Sequence, residues 1–381
     1  MNKYFLFTII LISLGCFPAI DKTELESNLE SIISNHEIAG FGVSVFDKND
    51  IHYIKGFGYE DYRSQKPYTI KTKQISASVA KTLIGIALMK CQELDLLDIS
   101  DPINAHLPFE IRNPHYPDEE ITIIQLATHT SGLKYSEQFS DEYNYAYSDS
   151  SLTFIVRDFL HPSGLHYSEK NFHYAKPGEL WDYSNAGAVI AALIVEEASG
   201  MKYDSFIQKY ISDPLSIELK RHRKSDKRSV HYEIGSTNSF IEIDRKEMGI
   251  YPVGDLLVSL SDLTKLFQMI MNGGSFENNR ILKSESVEIL TGFHQGKNID
   301  IIDSSHKNMG VFWWHDKNVF GMPVDLIGHN GGDTGVATLA WFSPETNLGY
   351  IMLCNTGHHD ENFGGMVHAW QSLYKYGISL E

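Results

Sequence analysis

The sequence predicts an α+β fold in which an antiparallel sheet is flanked by helices and interrupted by an inserted all-helical region. Three patterns carry that prediction. Strand-like runs lie near both ends of the chain, at 41–59 and 336–354. Helical patterns dominate from about 78 to 246. The strand-like runs come in pairs joined by short polar turns, which makes them antiparallel. One sheet subdomain is therefore expected from about 21–77 and 247–381, with a helical subdomain at about 78–246 set into it.

The elements follow in order. Met1-Asn2-Lys3 and the apolar run Tyr4 to Leu14 have the basic start and apolar core of a secretory signal, predicted over residues 1–20. The run is too short for a membrane-spanning helix. Ser13-Leu14-Gly15-Cys16 resembles a bacterial lipobox, with Ser13 where leucine is usual. The expectation is an exported protein of the bacterial envelope: a lipoprotein anchored through Cys16, or a periplasmic protein cleaved near Ala19. Asp21 to Ile38 reads as an amphipathic helix with Leu25, Leu29, Ile32 and Ile33 on one face. Phe41 to Phe46 and Ile51 to Tyr59 form a hairpin pattern around Asp47-Lys48-Asn49-Asp50. Thr82 to Met89 reads as a buried helix. The aromatic segment Tyr135 to Tyr174, with Tyr143, Tyr145, Tyr147, Phe154, Phe159, His166, Tyr167, Phe172 and His173, is expected to pack on the helical subdomain. From Gly254 the pattern returns to helix, then to strands at Val336–Phe342 and Gly349–Cys354 across the turn Pro344-Glu345-Thr346-Asn347.

Composition excludes several classes. With 42% hydrophobic and 21% charged residues the chain is an ordinary globular one. A formal charge of -17 argues against nucleic acid and anionic membrane surfaces as partners, leaving the membrane only a lipid anchor. The basic run Lys220-Arg221-His222-Arg223-Lys224, with Lys227-Arg228, is read as a solvated loop, with an anion-binding patch as the alternative. Cys91 and Cys354 are read as isolated core residues, a disulfide between them staying open. Among 17 histidines there is no His-Glu-x-x-His, and His358-His359-Asp360 lacks helical ligand spacing. No metal or cofactor is predicted. Gly-x-Ser-x-Gly is absent as well.

The chemistry centres on Ser78-Val79-Ala80-Lys81. Residues three apart on a helix share a face, so the Lys81 amine can reach the Ser78 hydroxyl. A serine needs such a neighbour to accept its proton. Ser-x-x-Lys recurs at Ser131, Ser199, Ser304 and Ser372, but the first two are followed by glycine, the third lies in a polar run, and the fourth leads into Lys375-Tyr376-Gly377 and not into a long apolar run. Ser78 alone leads into a buried helix, whose first N–H groups suit a developing oxyanion. Tyr183-Ser184-Asn185 is the one Tyr-x-Asn of the chain. Its phenol can relay a proton only where a nearby cation favours the phenolate, and Lys81 is a candidate. The third site is Gly328-His329-Asn330-Gly331-Gly332-Asp333, preferred over His294 and Lys176 because a hairpin pattern follows it.

In this order the three sites resemble the motifs of class C β-lactamase-like serine hydrolases, a family of β-lactamases, D-alanyl-D-alanine carboxypeptidases, D-aminopeptidases and β-lactamase-fold esterases. The likeness extends to Leu126-Ala127-Thr128-His129-Thr130-Ser131-Gly132-Leu133, to Pro177–Gly187, and to Tyr251–Leu256 with Ser261-Asp262-Leu263. It implies the β-lactamase/DD-peptidase fold, with the active site between the two subdomains. It also implies Ser78 as acylated nucleophile and Lys81 as its proton acceptor. Tyr183 would activate the deacylating water or protonate the leaving group. Asn185 would hold Lys81 and a substrate carbonyl, while His329 and Asn330 line the strand edge beside the acyl group. The N–H groups of Ser78 and Gly332, beyond Gly331, would form the oxyanion hole.

The third motif departs from the Lys-Thr-Gly of efficient β-lactamases of this class. A neutral imidazole holds an anion less well than an ammonium, and Asp333 is expected to repel a carboxylate further. The leading expectation is an exported hydrolase of a small ester or amide, such as a D-amino-acid peptide. A class C β-lactamase is the alternative within enzymes. A non-catalytic penicillin-binding or sensor protein is the alternative outside them, and it has no need of Ser78, Lys81, Tyr183 and Asn185 together.

Overall fold

The computed structural model describes residues 18–35, 37–134, 146–235, 239–294, 299–301, 308–357 and 363–380. Residues 1–17 of the predicted leader, with Cys16, lie outside them, as do Tyr143, Tyr145, Ser304 and His358-His359-Asp360.

Asp21 caps the first helix, α1 (Lys22–Ser34), its carboxylate accepting the Glu24 N–H at 2.8 Å. Leu25, Leu29 and Ile32 form its buried face. The helix stops at Ser34, short of the predicted Ile38, because Asn35 closes the last turn and the chain swings into a strand. Further helices that position the site are α2 (Ala80–Glu93), α3 (Asn185–Ser199), α4 (Leu260–Met271) and α5 (Phe363–Ile378).

The main sheet has eight strands: β1 (Gly40–Phe46), β2 (Ile51–Asp61), β3 (Lys66–Pro67), β4 (Asn308–Met309), β5 (Trp314–Asp316), β6 (Leu326–Asp333), β7 (Val336–Phe342) and β8 (Gly349–Cys354). Their order is β4-β5-β6-β7-β8-β1-β2-β3, with every neighbouring pair antiparallel. The two predicted hairpins thus become neighbours, Phe41 facing Cys354 and Phe46 facing Gly349.

Strands β1, β7 and β8 are buried at every position, because both sheet faces are covered. On one face Val43, Val45, Leu339 and Met352 pack with Leu25 and Leu29 of α1 and Trp370 and Leu373 of α5. On the other, Ala340, Ile351 and Leu353 join Leu260 and Phe267 of α4 and the helical core. Within that core α2 is buried from Ala80 through Met89 and α3 from Ala186 through Glu196. Helices apolar on nearly every side belong at the centre of a domain. Among the described residues no helix is long and apolar enough to cross a membrane.

Several expectations are corrected. The pattern after Gly254 begins with a strand, Leu256–Ser259, which pairs with Lys73–Ile75 and Lys220-Arg221. Ser259 then caps α4 by accepting the Asp262 N–H at 3.2 Å. The basic run is accordingly a solvated loop only in part: Lys220 and Arg221 belong to a strand, while Arg223, Lys224 and Lys227 are exposed beyond it. Lys220 pairs with Asp226, Arg221 lies over the Tyr251 ring, and Arg223 pairs with Glu247. A further hairpin, His231–Ile234 with Phe240–Ile243, sits within the stretch read as helical. Cys91 and Cys354 are both buried free thiols.

Candidate active site

Ser78 sits in the single 3₁₀ turn Ala77–Val79 that runs directly into α2. The turn is made possible by Ala77, held at φ +46°, a left-handed conformation that a side chain disfavours. Ser78 is half-buried between fully buried neighbours, so its hydroxyl is the accessible group of the turn. One helical turn on, the fully buried Lys81 places Nζ 3.1 Å from Ser78 Oγ. The same ammonium donates to the Val253 carbonyl at 2.9 Å. Burial pulls the Lys81 pKa down to about 7, while the charge of Asp333 acts in the opposite direction. At neutral pH a substantial fraction of Lys81 is therefore the free amine, able to take the Ser78 proton.

Among the described residues, the Ser-x-x-Lys sites at Ser131, Ser199 and Ser372 offer no such pair. Ser131 is buried and accepts only the long Leu133 N–H bond at 3.4 Å, and Ser199 donates to the Val195 carbonyl of its own helix.

Tyr183 enters just before α3, whose first turn is capped by Ser184 Oγ accepting the Gly187 N–H at 3.2 Å. Its ring centroid lies 5.0 Å from Lys81 Nζ. His129 brackets the tyrosine on both sides: its carbonyl accepts the Asp182 N–H at 3.0 Å and its Nδ1 accepts the Ser184 N–H at 3.2 Å. The His129 ring also tilts against Tyr183 at 4.6 Å between centroids. Asp182 does not face the phenol's proton; its carboxylate is engaged by His173 Nε2 at 2.7 Å.

Strand β6 brings in the third motif. Its short neighbour β5 pairs only with Leu326, Ile327 and Gly328, so on that side the edge from His329 to Asp333 is left open by the main sheet. The nucleophile turn lies against this stretch. A Cβ at Gly331 would sit 2.7 Å from Ser78 N and 3.0 Å from both Ala77 Cβ and the Ser76 carbonyl oxygen, so only glycine fits there. Gly332 is exposed on the same edge and Asn330 half-buried.

Two assigned contacts are corrected. Asn185 does not hold Lys81: its Oδ1 is buried without a hydrogen-bond partner among the described residues, and the Val253 carbonyl takes that place. His329 does not line the edge beside Asn330. It is fully buried, stacked on Trp314 at 4.0 Å and tilted toward Tyr183 at 6.3 Å. The expected repulsion by Asp333 is offset as well, because Arg245 pairs with its carboxylate at 2.8 Å. Val253, His129, Trp314 and Arg245 were not singled out as site residues. His129 and Val253 do fall in segments that carry the family likeness, whereas Trp314 and Arg245 have no local motif.

The family model for Beta-lactamase matches residues 25–372. "Protein flp" of Staphylococcus aureus (strain MW2) is 22% identical over 337 residues, which cover 87% of this chain and 62% of that protein. The chain thus spans about three fifths of the length of the curated relatives it matches first. Its fold is similar to that of an octameric penicillin-binding protein homologue from Pyrococcus abyssi, with TM-score 0.72 and 22% identity over 95% of this chain and 78% of that one. It is similar also to a beta-lactamase/D-alanine carboxypeptidase from Yersinia pestis, with TM-score 0.73 and 16% identity over 94% of this chain and 100% of that one.

Proposed function

Because the chain belongs to the beta-lactamase family of serine hydrolases, we propose that it cleaves a small ester or amide through an acyl-enzyme on Ser78. The observation that carries this reading is the buried Lys81 amine 3.1 Å from Ser78 Oγ. Neutral Lys81 takes the hydroxyl proton as Ser78 Oγ bonds to the substrate carbonyl carbon. The N–H groups of Ser78 and Gly332 receive the oxyanion, a donor of this kind being worth ~3 kcal/mol. The proton then passes to the leaving group as its bond to the carbonyl carbon breaks, from Lys81 or through Tyr183. Water, losing its proton to the same pair, hydrolyses the acyl-enzyme. Asn185, whose buried Oδ1 has no hydrogen-bond partner among the described residues, is offered to the substrate amide two residues after Tyr183.

Neutral acyl groups suit the site best. The third motif offers a buried, stacked His329 in place of a permanent ammonium, and Arg245 already divides its charge between two carboxylates. A carboxypeptidase among the similar structures supports the amide half of the reading. We include export in the proposal, on the apolar leader and Cys16. The test is kcat/KM for 4-nitrophenyl butyrate beside that for a penicillin and a cephalosporin. The ester should turn over faster. Cephalosporin hydrolysis near the diffusional ceiling of about 10⁸ M⁻¹s⁻¹ would reverse the ranking in favour of a β-lactamase.

A further inference from the structure

Arg245 is only 1% exposed in its side chain, and it bridges two carboxylates of the site's backbone supports. Its Nη2 lies 2.8 Å from Asp333 Oδ2 and 3.5 Å from Asp255 Oδ1. Asp333 ends β6 directly after Gly332, and Gly331 just before them backs onto the Ser78 nitrogen. Asp255 follows Val253, whose carbonyl holds Lys81, by two residues. Each carboxylate is fixed by further bonds. Asp333 Oδ1 accepts the Thr334 N–H at 2.7 Å. Asp255 Oδ2 accepts the Met248 N–H at 2.9 Å and lies 3.3 Å from His222 Nδ1. One guanidinium therefore joins the strand that borders the nucleophile to the turn that anchors its base. A buried charge held this way is costly unless every partner is in place.

We propose that Arg245 is a positioning residue for the Ser78–Lys81 pair, holding β6 against the Val253 turn through Asp333 and Asp255 and tempering the field of Asp333 at Lys81. This rests on the reading of Lys81 as the proton acceptor. The groups arranged around Lys81 are Ser78 on its own turn, Tyr183 from the loop before α3, the Val253 carbonyl, and Asp333 acting from the end of β6. Behind Asp333 stand Arg245, Asp255, His222, Arg228 and His231. Asp333 favours the ammonium form of Lys81. Arg245, opposite in charge and 2.8 Å from that carboxylate, is placed to counter it.

The sign of that effect separates a charge role from a merely structural one. The base must be neutral to work, so labelling of Ser78 by a fluorophosphonate should fall on the acid side of the Lys81 pKa, near 7 in the wild type. Asp333→Asn removes the charge that favours the ammonium and should move this limb to lower pH. Arg245→Met leaves Asp333 uncompensated and should move it to higher pH, by roughly half a unit or more. The experiment is the labelling rate against pH for wild type, both variants, Arg245→Lys and Lys81→Ala, with far-UV circular dichroism to confirm folding. Arg245→Lys, with one point charge in place of a fork, should recover the position of the limb more fully than the rate. Limbs that stay fixed in both variants, or move in the same direction, overturn the role of Arg245 while leaving Lys81 as base. A wild type without a limb, or a limb that survives in Lys81→Ala, overturns both. If Arg245→Met does not fold, Arg245→Gln takes its place, and Asp333→Asn must still move the limb to lower pH; an unmoved limb in either variant overturns the proposal.

Discussion

A lysine in water is protonated at neutral pH, with a reference pKa of about 10.4. Enclosed by the Ser78 turn, the Val253 carbonyl and the Tyr183 ring, Lys81 comes down to about 7 because burial penalises the ammonium. Neutral, the same residue is the amine that can take the Ser78 proton; protonated, it is a cation 5.0 Å from the centre of the Tyr183 ring. If Lys81 and Tyr183 act as one proton-transfer unit, Lys81→Ala, Tyr183→Phe and the double variant should show similar residual turnover of an aryl ester. Losses that multiply instead would separate the two roles. Ser78, Lys81 and Tyr183 were legible in the sequence because their chemistry lies in side chains at short, fixed spacings. The Val253 carbonyl was not, since every residue has one and only the tertiary fold selects which of them meets Lys81. Arg245 escaped for a related reason: its partners Asp255 and Asp333 come from different segments, and no local pattern joins them.

At the level of elements, the site depends on a mismatch in strand length. Strand β5 covers only the first part of β6, so the edge from His329 to Asp333 stays free of strand pairing beside the nucleophile turn, which packs on the sheet face at Gly331. Gly331 permits the close approach. Gly331→Ala would push a methyl into Ser78 N, Ala77 and Ser76, and the turn or the strand would have to yield. Since a displacement of about 1 Å can cost ~100-fold in rate, fluorophosphonate labelling of Gly331→Ala should drop by that order with far-UV circular dichroism unchanged. Labelling at the wild-type rate would show that the contact is not needed. Motif reading placed His329 and Asn330 together on the edge. Successive side chains of a strand leave opposite faces, and His329 takes the one covered by Trp314 and Tyr183. The strands Leu256–Ser259 and His231–Ile234 went unread because four residues are too few to establish a period against helical surroundings.

At the scale of the molecule, the N-terminal hairpin closes on the C-terminal one through β1 and β8, and helices cover both faces of the resulting sheet. Each hairpin was legible by itself, because its pairing is local. Their joining was expected from strands at both ends of the chain with helices between, but the register, Phe41 against Cys354, comes only from packing of the two buried faces. This frame holds α2 and β6 so that a hydroxyl, an amine and a glycine strand meet. The central claim is that Ser78 is the residue acylated there. Intact-mass analysis after incubation with a fluorophosphonate, for wild type and Ser78→Ala, tests it most directly. The wild type should gain one adduct, mapped to Ser78 by peptide sequencing, and the variant none while keeping its fold. An adduct that persists in Ser78→Ala, or maps to Ser131, would contradict the account.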